Sequence, residues 1–281
     1  MRSRAFGPTG ESLPIIGQGT WRMERDDRIE AIRAIRRGID LGMTHIDTAE
    51  MYGSGRVEEL LGEALVERRD EVFLVGKVLP TNAGRERMRI ACEGSLRRLR
   101  TDRLDGYLLH WPGTVPLEET IAGFEELREA GMIRSWGVSN FDAGDLEEAV
   151  RIAGEGAIAC NQVLYHLEER AIEHEVIPTC VRHGIAVVGY SPFAGGPLPS
   201  PRGEGGRVLA EIAEARGATP RQVALAFLTR EDGTFAIPKG SKATHVEENA
   251  AAGELDLSPA DLTAIDRAFP RGPKPRSLPI R

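Results

Sequence analysis

Only three cysteines occur in the 281-residue chain, Cys92, Cys160 and Cys180, widely spaced and odd in number. A chain of this size builds its own core without a disulfide framework, and their spacing matches no zinc site, so a reducing, cytoplasmic setting is expected. Basic residues are in deficit, 36 Lys and Arg against 43 Asp and Glu, for a net charge of -7. With no Lys/Arg run to offset that balance, nucleic acid is not an expected partner. Long apolar runs are missing too. The longest, such as 185–189, suit a strand and not a bilayer, so no membrane partner is expected. Met1–Phe6 is positively charged but lacks an apolar stretch behind it, and no secretory signal is read there. The six histidines are scattered, none paired with Cys or a carboxylate at ligand spacing, so no metal is expected.

What is present is a repeated cycle of short apolar run, turn and amphipathic helix. After an opening hairpin around Pro8-Thr9-Gly10, the runs 13–19, 43–47, 72–79, 104–110, 133–139, 158–163, 185–190 and 234–238 read as strands. The run 72–79 is apolar almost throughout, as a strand buried on both faces requires. Ile29, Ile32, Ile35 and Ile39 recur at helical spacing, and 57–66, 85–100, 117–130, 143–153 and 172–183 read as further helices. The Gly/Pro-rich stretch 194–206 is too polar and broken to be an element. Two helices follow it, the second opening on the capping box Thr219-Pro220-Arg221-Gln222. A helix over 244–252 and a last one capped at Ser258 complete the chain.

About eight repeats of this kind predict an α/β fold, a (β/α)8 TIM barrel of eight parallel strands with an N-terminal β-hairpin and extra helices. No linker interrupts it, so residues 1–281 are read as one domain with a short tail over 270–281. The structural rival, an open dinucleotide-binding sheet, requires G-x-G-x-x-G after its first strand. Gly17 and Gly19 fit that spacing, but Arg22 stands at the third position.

In such a barrel, reactive groups sit where strands end. Asp47, Lys77 and His110 end three of the runs, and Tyr52 follows Asp47 on the adjoining loop. Each alone has an ordinary structural explanation: a turn residue, a surface tyrosine, a hydrogen-bonded core histidine. Together they make a working acid. A tyrosine with a pKa of about 10 holds its proton at neutral pH but releases it reluctantly. A nearby Lys77 cation is expected to favour the phenolate and lower that pKa, with Asp47 holding the ammonium in place. His110 is placed to orient a carbonyl oxygen.

The segment Asp47-Thr48-Ala49-Glu50-Met51-Tyr52-Gly53 resembles the D-T-A-x-x-Y motif of the aldo-keto reductases. Lys77, His110, 137–141, Asn161-Gln162, 189–192 and Ile237-Pro238-Lys239 match that family in the same order, over residues 6–270. The resemblance implies an NADPH-dependent reductase of small aldehydes, α-dicarbonyls or ketones, with Asp47, Tyr52, Lys77 and His110 as the catalytic tetrad and Tyr52 as proton donor. NADPH (NADP+) is the expected cofactor, with NADH as the weaker alternative. Ser139, Asn140 and Gln162 match positions that hold the nicotinamide carboxamide, and Tyr190 the aromatic on which that ring stacks. Ser191, Pro192 and Phe193 fall on the stretch that meets the pyrophosphate, with Thr20, Trp21 and Asp47 also at the cofactor. Lys239, Gly240, Ser241, Lys242, His245, Glu248 and Asn249 match the segment for the adenosine end and its 2′-phosphate. Trp21, Tyr52, His110 and Trp111 match the walls of the substrate pocket.

Two departures stand out. Many members carry arginine where this chain has His245, and a histidine grips phosphate less firmly, so the preference for NADPH is expected to be blunted. The tail after Phe269 is short where longer members fold a loop over the pocket, which implies an open, permissive site. A Schiff-base aldolase using Lys77, or an NADPH-binding regulatory protein on the same fold, remain as alternative readings. No long exposed apolar stripe demands an oligomer, and a monomer is expected.

Overall fold

Eight strands, all parallel and hydrogen-bonded in the order in which they occur in the chain, form the frame of the molecule. The computed structural model describes residues 1–196 and 198–280. A hairpin of β1 (Ser3–Ala5) and β2 (Ser12–Pro14) precedes the frame. The frame itself is β3 (Gln18–Gly19), β4 (His45–Asp47), β5 (Phe73–Val78), β6 (Leu104–Leu109), β7 (Ile133–Ser139), β8 (Ile158–Leu164), β9 (Ala186–Tyr190) and β10 (Thr234–Ala236). It closes on itself: the Gly17 N–H donates to Ala236 O at 2.8 Å, the Ala236 N–H to Ile15 O at 2.9 Å, and the Gly19 N–H to Pro238 O at 3.1 Å. The result is the expected (β/α)8 barrel. Gly19 is needed at this seam, because a Cβ there would stand 2.4 Å from the Ile237 carbonyl oxygen.

Helices α1 (Arg28–Asp40), α2 (Arg56–Ala64), α3 (Arg85–Leu99), α4 (Leu117–Glu129), α5 (Ala143–Ala153) and α6 (Val176–Arg182) connect successive strands. Helices α7 (Glu204–Arg216) and α8 (Pro220–Leu228) both lie between β9 and β10, and α9 (Ala243–Ala251) and α10 (Pro259–Ala268) follow. The caps read from sequence are present: Thr219 and Gln222 bond reciprocally at the start of α8, and Ser258 and Asp261 do the same for α10. No helix among the described residues is long and apolar enough to cross a membrane.

Alternation along the strands divides the apolar side chains between two compartments. Phe73 and Val75 of β5 join Leu108, Val188 and Phe235 inside the barrel, while Leu74 between them packs outward under the helices. The hairpin plugs the bottom. Phe6 is buried there, edge-on to His45, Phe73 and Phe235 at 5.4, 5.3 and 5.2 Å.

Three segments differ from those expected by more than a residue or two at an end. The run 13–19 is not one strand: Ser12–Pro14 pairs antiparallel in the plug, and Gln18–Gly19 alone enters the barrel, because the chain must turn from the floor into the wall. The segment 172–183 breaks into a single turn, Ala171–Glu173, and α6. The stretch 194–206 is helical from Glu204, where Gly203 caps α7. The rest of that stretch, apart from residue 197, which lies outside the described residues, forms no regular element.

Candidate active site

The polar residues expected to act converge at one end of the barrel because they occupy the C-terminal ends of neighbouring strands. Asp47 closes β4, Lys77 is the penultimate residue of β5, and His110 directly follows β6. Tyr52 returns to them through a tight turn in which Gly53 and Ser54 both hold left-handed backbone, each with φ near 57°. Lys77 is fully buried and donates from Nζ to Asp47 Oδ1 at 2.6 Å, to the Thr48 carbonyl at 2.9 Å and to Tyr52 Oη at 3.2 Å. The Tyr52 ring is edge-on to His110 at 5.8 Å, and His110 lies 4.9 Å from the Trp111 ring.

Burial sets the protonation of this group. The Asp47 carboxylate, with help from Tyr52, outweighs the burial of Lys77 and holds its pKa above the ordinary lysine value, so the group is an ammonium. A Schiff-base lysine must be a neutral nucleophile, and Lys77 is neither neutral nor free. Burial pushes the Asp47 carboxyl up, against the pull of Lys77 and Gln162. With two donors on its oxygens and a buried cation beside it, the ion pair is the state that satisfies both partners. Burial, reinforced by Lys77, lowers His110 to about 3, so its imidazole is neutral. Tyr52 corrects an expectation. Lys77 does pull its pKa down, but burial pushes harder, and the phenol lies above the ordinary value of 10.0.

The tetrad opens into a cavity of about 430 Å³ that runs from Asp47, Tyr52 and His110 to Lys239. Trp21 and Trp111, the expected pocket walls, both line it, with the Arg22 guanidinium 4.2 Å over the Trp21 ring. Thr20, Ser139, Asn140, Gln162, Tyr190, Ser191, Pro192 and Phe193 line it as well. Their hydrogen bonds form a continuous rim. Tyr190 Oη donates to Asn140 Oδ1 at 2.9 Å, and Asn140 Nδ2 donates to the His110 carbonyl at 3.0 Å. Ser139 Oγ donates to the Gln162 carbonyl at 2.8 Å, and Thr20 Oγ1 to the Asp47 carbonyl at 2.8 Å. Arg22, Asn140 and Ser191 hold left-handed backbone, with φ of 61°, 61° and 52°. Non-glycine residues held this way concentrate at functional sites.

The segment expected to hold the adenosine end is less uniform. Lys239 lines the cavity; Gly240, Ser241, Lys242, His245, Glu248 and Asn249 do not. Lys242 and His245 are exposed. Asn249 is 1% exposed, and neither amide atom has a hydrogen-bond partner among the described residues. Gly240 packs beside it, where a Cβ would meet Val246 and the Asn249 amide. That buried amide keeps one unused donor and one unused acceptor, the pair that a heterocycle such as adenine would match.

Two charged residues at this end escaped the sequence reading. Arg221 lies 3.7 Å over the Phe193 ring, lines the cavity and pairs with Glu248 at 3.5 Å. In the sequence it was only an interior position of a capping box. Asp26 accepts from both Lys239 Nζ and Ser241 Oγ on a single oxygen. The run Glu24-Arg25-Asp26-Asp27-Arg28 carries no local mark that separates Asp26 from Asp27, which merely caps α1. The tail 270–280 contributes nothing to the cavity lining among the described residues, and its Lys274 pairs with Glu175 instead.

Comparison with known proteins agrees with this arrangement. The model of the Aldo/keto reductase family matches residues 15–269. A methylglyoxal reductase of Escherichia coli, YeaE, is 47% identical over 270 residues, covering 92% of each chain. A glyoxal reductase of Bacillus subtilis is 35% identical, covering 92% of this chain and 89% of its own. The crystal structure of an aldo/keto reductase from Klebsiella pneumoniae in complex with NADP and acetate superposes with a TM-score of 0.93 at 42% identity, covering all of both chains.

Proposed function

Since this chain belongs to the aldo/keto reductase family, we propose that it reduces small carbonyl compounds with NADPH, using Tyr52 as the proton donor and Lys77, Asp47 and His110 as its supports. The observation that carries the reading is the 3.2 Å contact from Lys77 Nζ to Tyr52 Oη, made at the wall of a cavity that also contains Tyr190, Asn140 and Lys239. When bound, the reduced nicotinamide supplies the hydride. Ser139, Asn140 and Gln162 would hold its carboxamide, Tyr190 would carry the ring, and Lys239 and Arg221 would face its phosphates.

The chain's own residues handle the proton. A buried tyrosine with a raised pKa is fully protonated at neutral pH, so the acid is always loaded. An oxygen becoming an alkoxide is a stronger base than phenolate, so the proton moves to it as charge develops. The Lys77 ammonium then stabilises the phenolate that remains, an interaction that strengthens only as the reaction proceeds. Asp47 fixes that ammonium. Neutral His110 orients the carbonyl oxygen without competing as an acid.

The substrates are α-dicarbonyls such as methylglyoxal and glyoxal, together with small and aromatic aldehydes. The relatives named for those two dicarbonyls support this, as does a cavity to whose lining the described tail residues 270–280 contribute nothing. The preference for NADPH over NADH is moderate, because His245, exposed and off the cavity lining, lacks the bidentate fork that an arginine would offer a phosphate. The test is a carbonyl panel followed by consumption of NADPH and NADH in parallel. Turnover of methylglyoxal with NADPH is expected; absence of turnover across the panel, with cofactor bound, would defeat the reading.

A further inference from the structure

We propose that Asp26 is an internal counter-anion that sets how strongly the protein discriminates between the two nicotinamide dinucleotides. The proposal rests on the nicotinamide reading above and deepens it. Asp26 lies in the loop between β3 and α1, in extended backbone that ends the turn Met23–Arg25. Its Oδ2 accepts from Lys239 Nζ and, at 2.6 Å, from Ser241 Oγ. Those two donors, on the segment that follows the barrel seam, match the positions that the family resemblance assigns to the ribose 2′-phosphate. One carboxylate oxygen thus takes the place of one phosphate oxygen, with the same charge sign and the same acceptor geometry.

The surroundings make this a competition and not a fixed strut. Asp26 and Lys239 are both about one-third exposed, 32% and 35%, so their pair is a weak, exchangeable contact beside the cavity that Lys239 lines. Lys239 and Ser241 as donors, with Lys242 nearby, hold the Asp26 carboxyl below its usual range despite partial burial, which keeps it anionic. A 2′-phosphate arriving here must either displace the carboxylate from both donors or sit beside a like charge. Both outcomes penalise the phosphorylated cofactor alone. A ribose 2′-hydroxyl meets no such penalty, since it can donate to the carboxylate. Asp26 therefore offsets part of the advantage that Lys239 gives NADPH.

The test is equilibrium binding of NADPH, NADH, 2′,5′-ADP and 5′-ADP to wild type, Asp26→Asn and Asp26→Ala, with thermal melts to confirm that each variant is folded. Removing the charge is expected to tighten NADPH and 2′,5′-ADP about fivefold, the scale of one exposed ion pair. NADH and 5′-ADP should be unchanged or weaker. Unchanged or weaker NADPH binding in both variants overturns the role of Asp26 alone. Failure of the wild type to bind either dinucleotide overturns the nicotinamide reading and this proposal with it.

Discussion

Gln162 and Asp47 meet across the mouth of the barrel, where the Gln162 Nε2 donates to Asp47 Oδ2 at 2.7 Å. Asp47 ends β4 and Gln162 lies on β8, so the carboxylate that holds Lys77 is itself held from the opposite wall. Both carboxylate oxygens are thereby satisfied by side chains, one by an ammonium and one by an amide. Gln162 thus fixes the carboxylate that holds Lys77 as well as lining the cavity. Replacing it, as Gln162→Leu, leaves a buried carboxylate oxygen without its donor, at a cost of about 1–3 kcal/mol. A lowered midpoint in urea unfolding is expected, together with a fall in kcat. A variant as stable as wild type would show that the amide is dispensable.

Tyr52→Phe should cut turnover by about two orders of magnitude or more, the usual contribution of a positioned acid. Cofactor affinity should change little, because the hydroxyl's hydrogen-bond partner is Lys77. Lys77→Met should lose turnover to a similar extent and also fold less stably, since it strands Asp47 as a buried charge at about 3–5 kcal/mol. Steady-state kinetics and cofactor titration separate the two cases. A Tyr52→Phe enzyme that reduces aldehydes at the wild-type rate ends the proposed mechanism.

The pH profile of reduction follows from two directions. His110 is neutral because burial lowers it to about 3, and Tyr52 keeps its proton because burial raises it above 10.0. Neither group changes state between pH 5 and pH 9, so kcat for reduction should be flat there on their account. A limb centred near pH 6.5 that disappears in His110→Gln would contradict the neutral, buried imidazole.

Acid should destabilise the fold through His45. It is buried in the barrel floor against Phe6 and Phe73, and burial, with Lys77 adding repulsion, lowers it to about 3. The folded-state value lies below the unfolded one, about 6.5, so the unfolded chain binds more protons between the two. The stability at stake is complete above pH 6.5 and is lost progressively as pH falls towards 3, by at most about 1.4 kcal/mol per pH unit. Unfolding midpoints at pH 7 and pH 4.5 should differ less in His45→Gln than in wild type; an equal difference would place the acid sensitivity elsewhere.

The barrel and its tetrad were legible in the residues because both rest on local patterns. Apolar runs of strand length, helical recurrences such as Ile29 to Ile39, and the caps at Thr219 and Ser258 act within a few residues of themselves. A polar residue at the end of such a run also announces itself locally, as Asp47, Lys77 and His110 do. Contacts and burial created by closing the sheet could not be read this way. Asp26 reaches Lys239 across 213 residues of chain, and Arg221 reaches Phe193 across the residues between β9 and α8. The protonation of Tyr52 depends on every atom that excludes water from it, which is why a reading from its one cationic neighbour had the direction reversed. Periodicity and residue chemistry determined which strands and which candidate catalytic groups the chain would bring together. Long-range closure of the barrel decided which charges meet at the cofactor cavity and how tightly the acid holds its proton, because solvent exclusion is a property of the assembled structure and not of any segment.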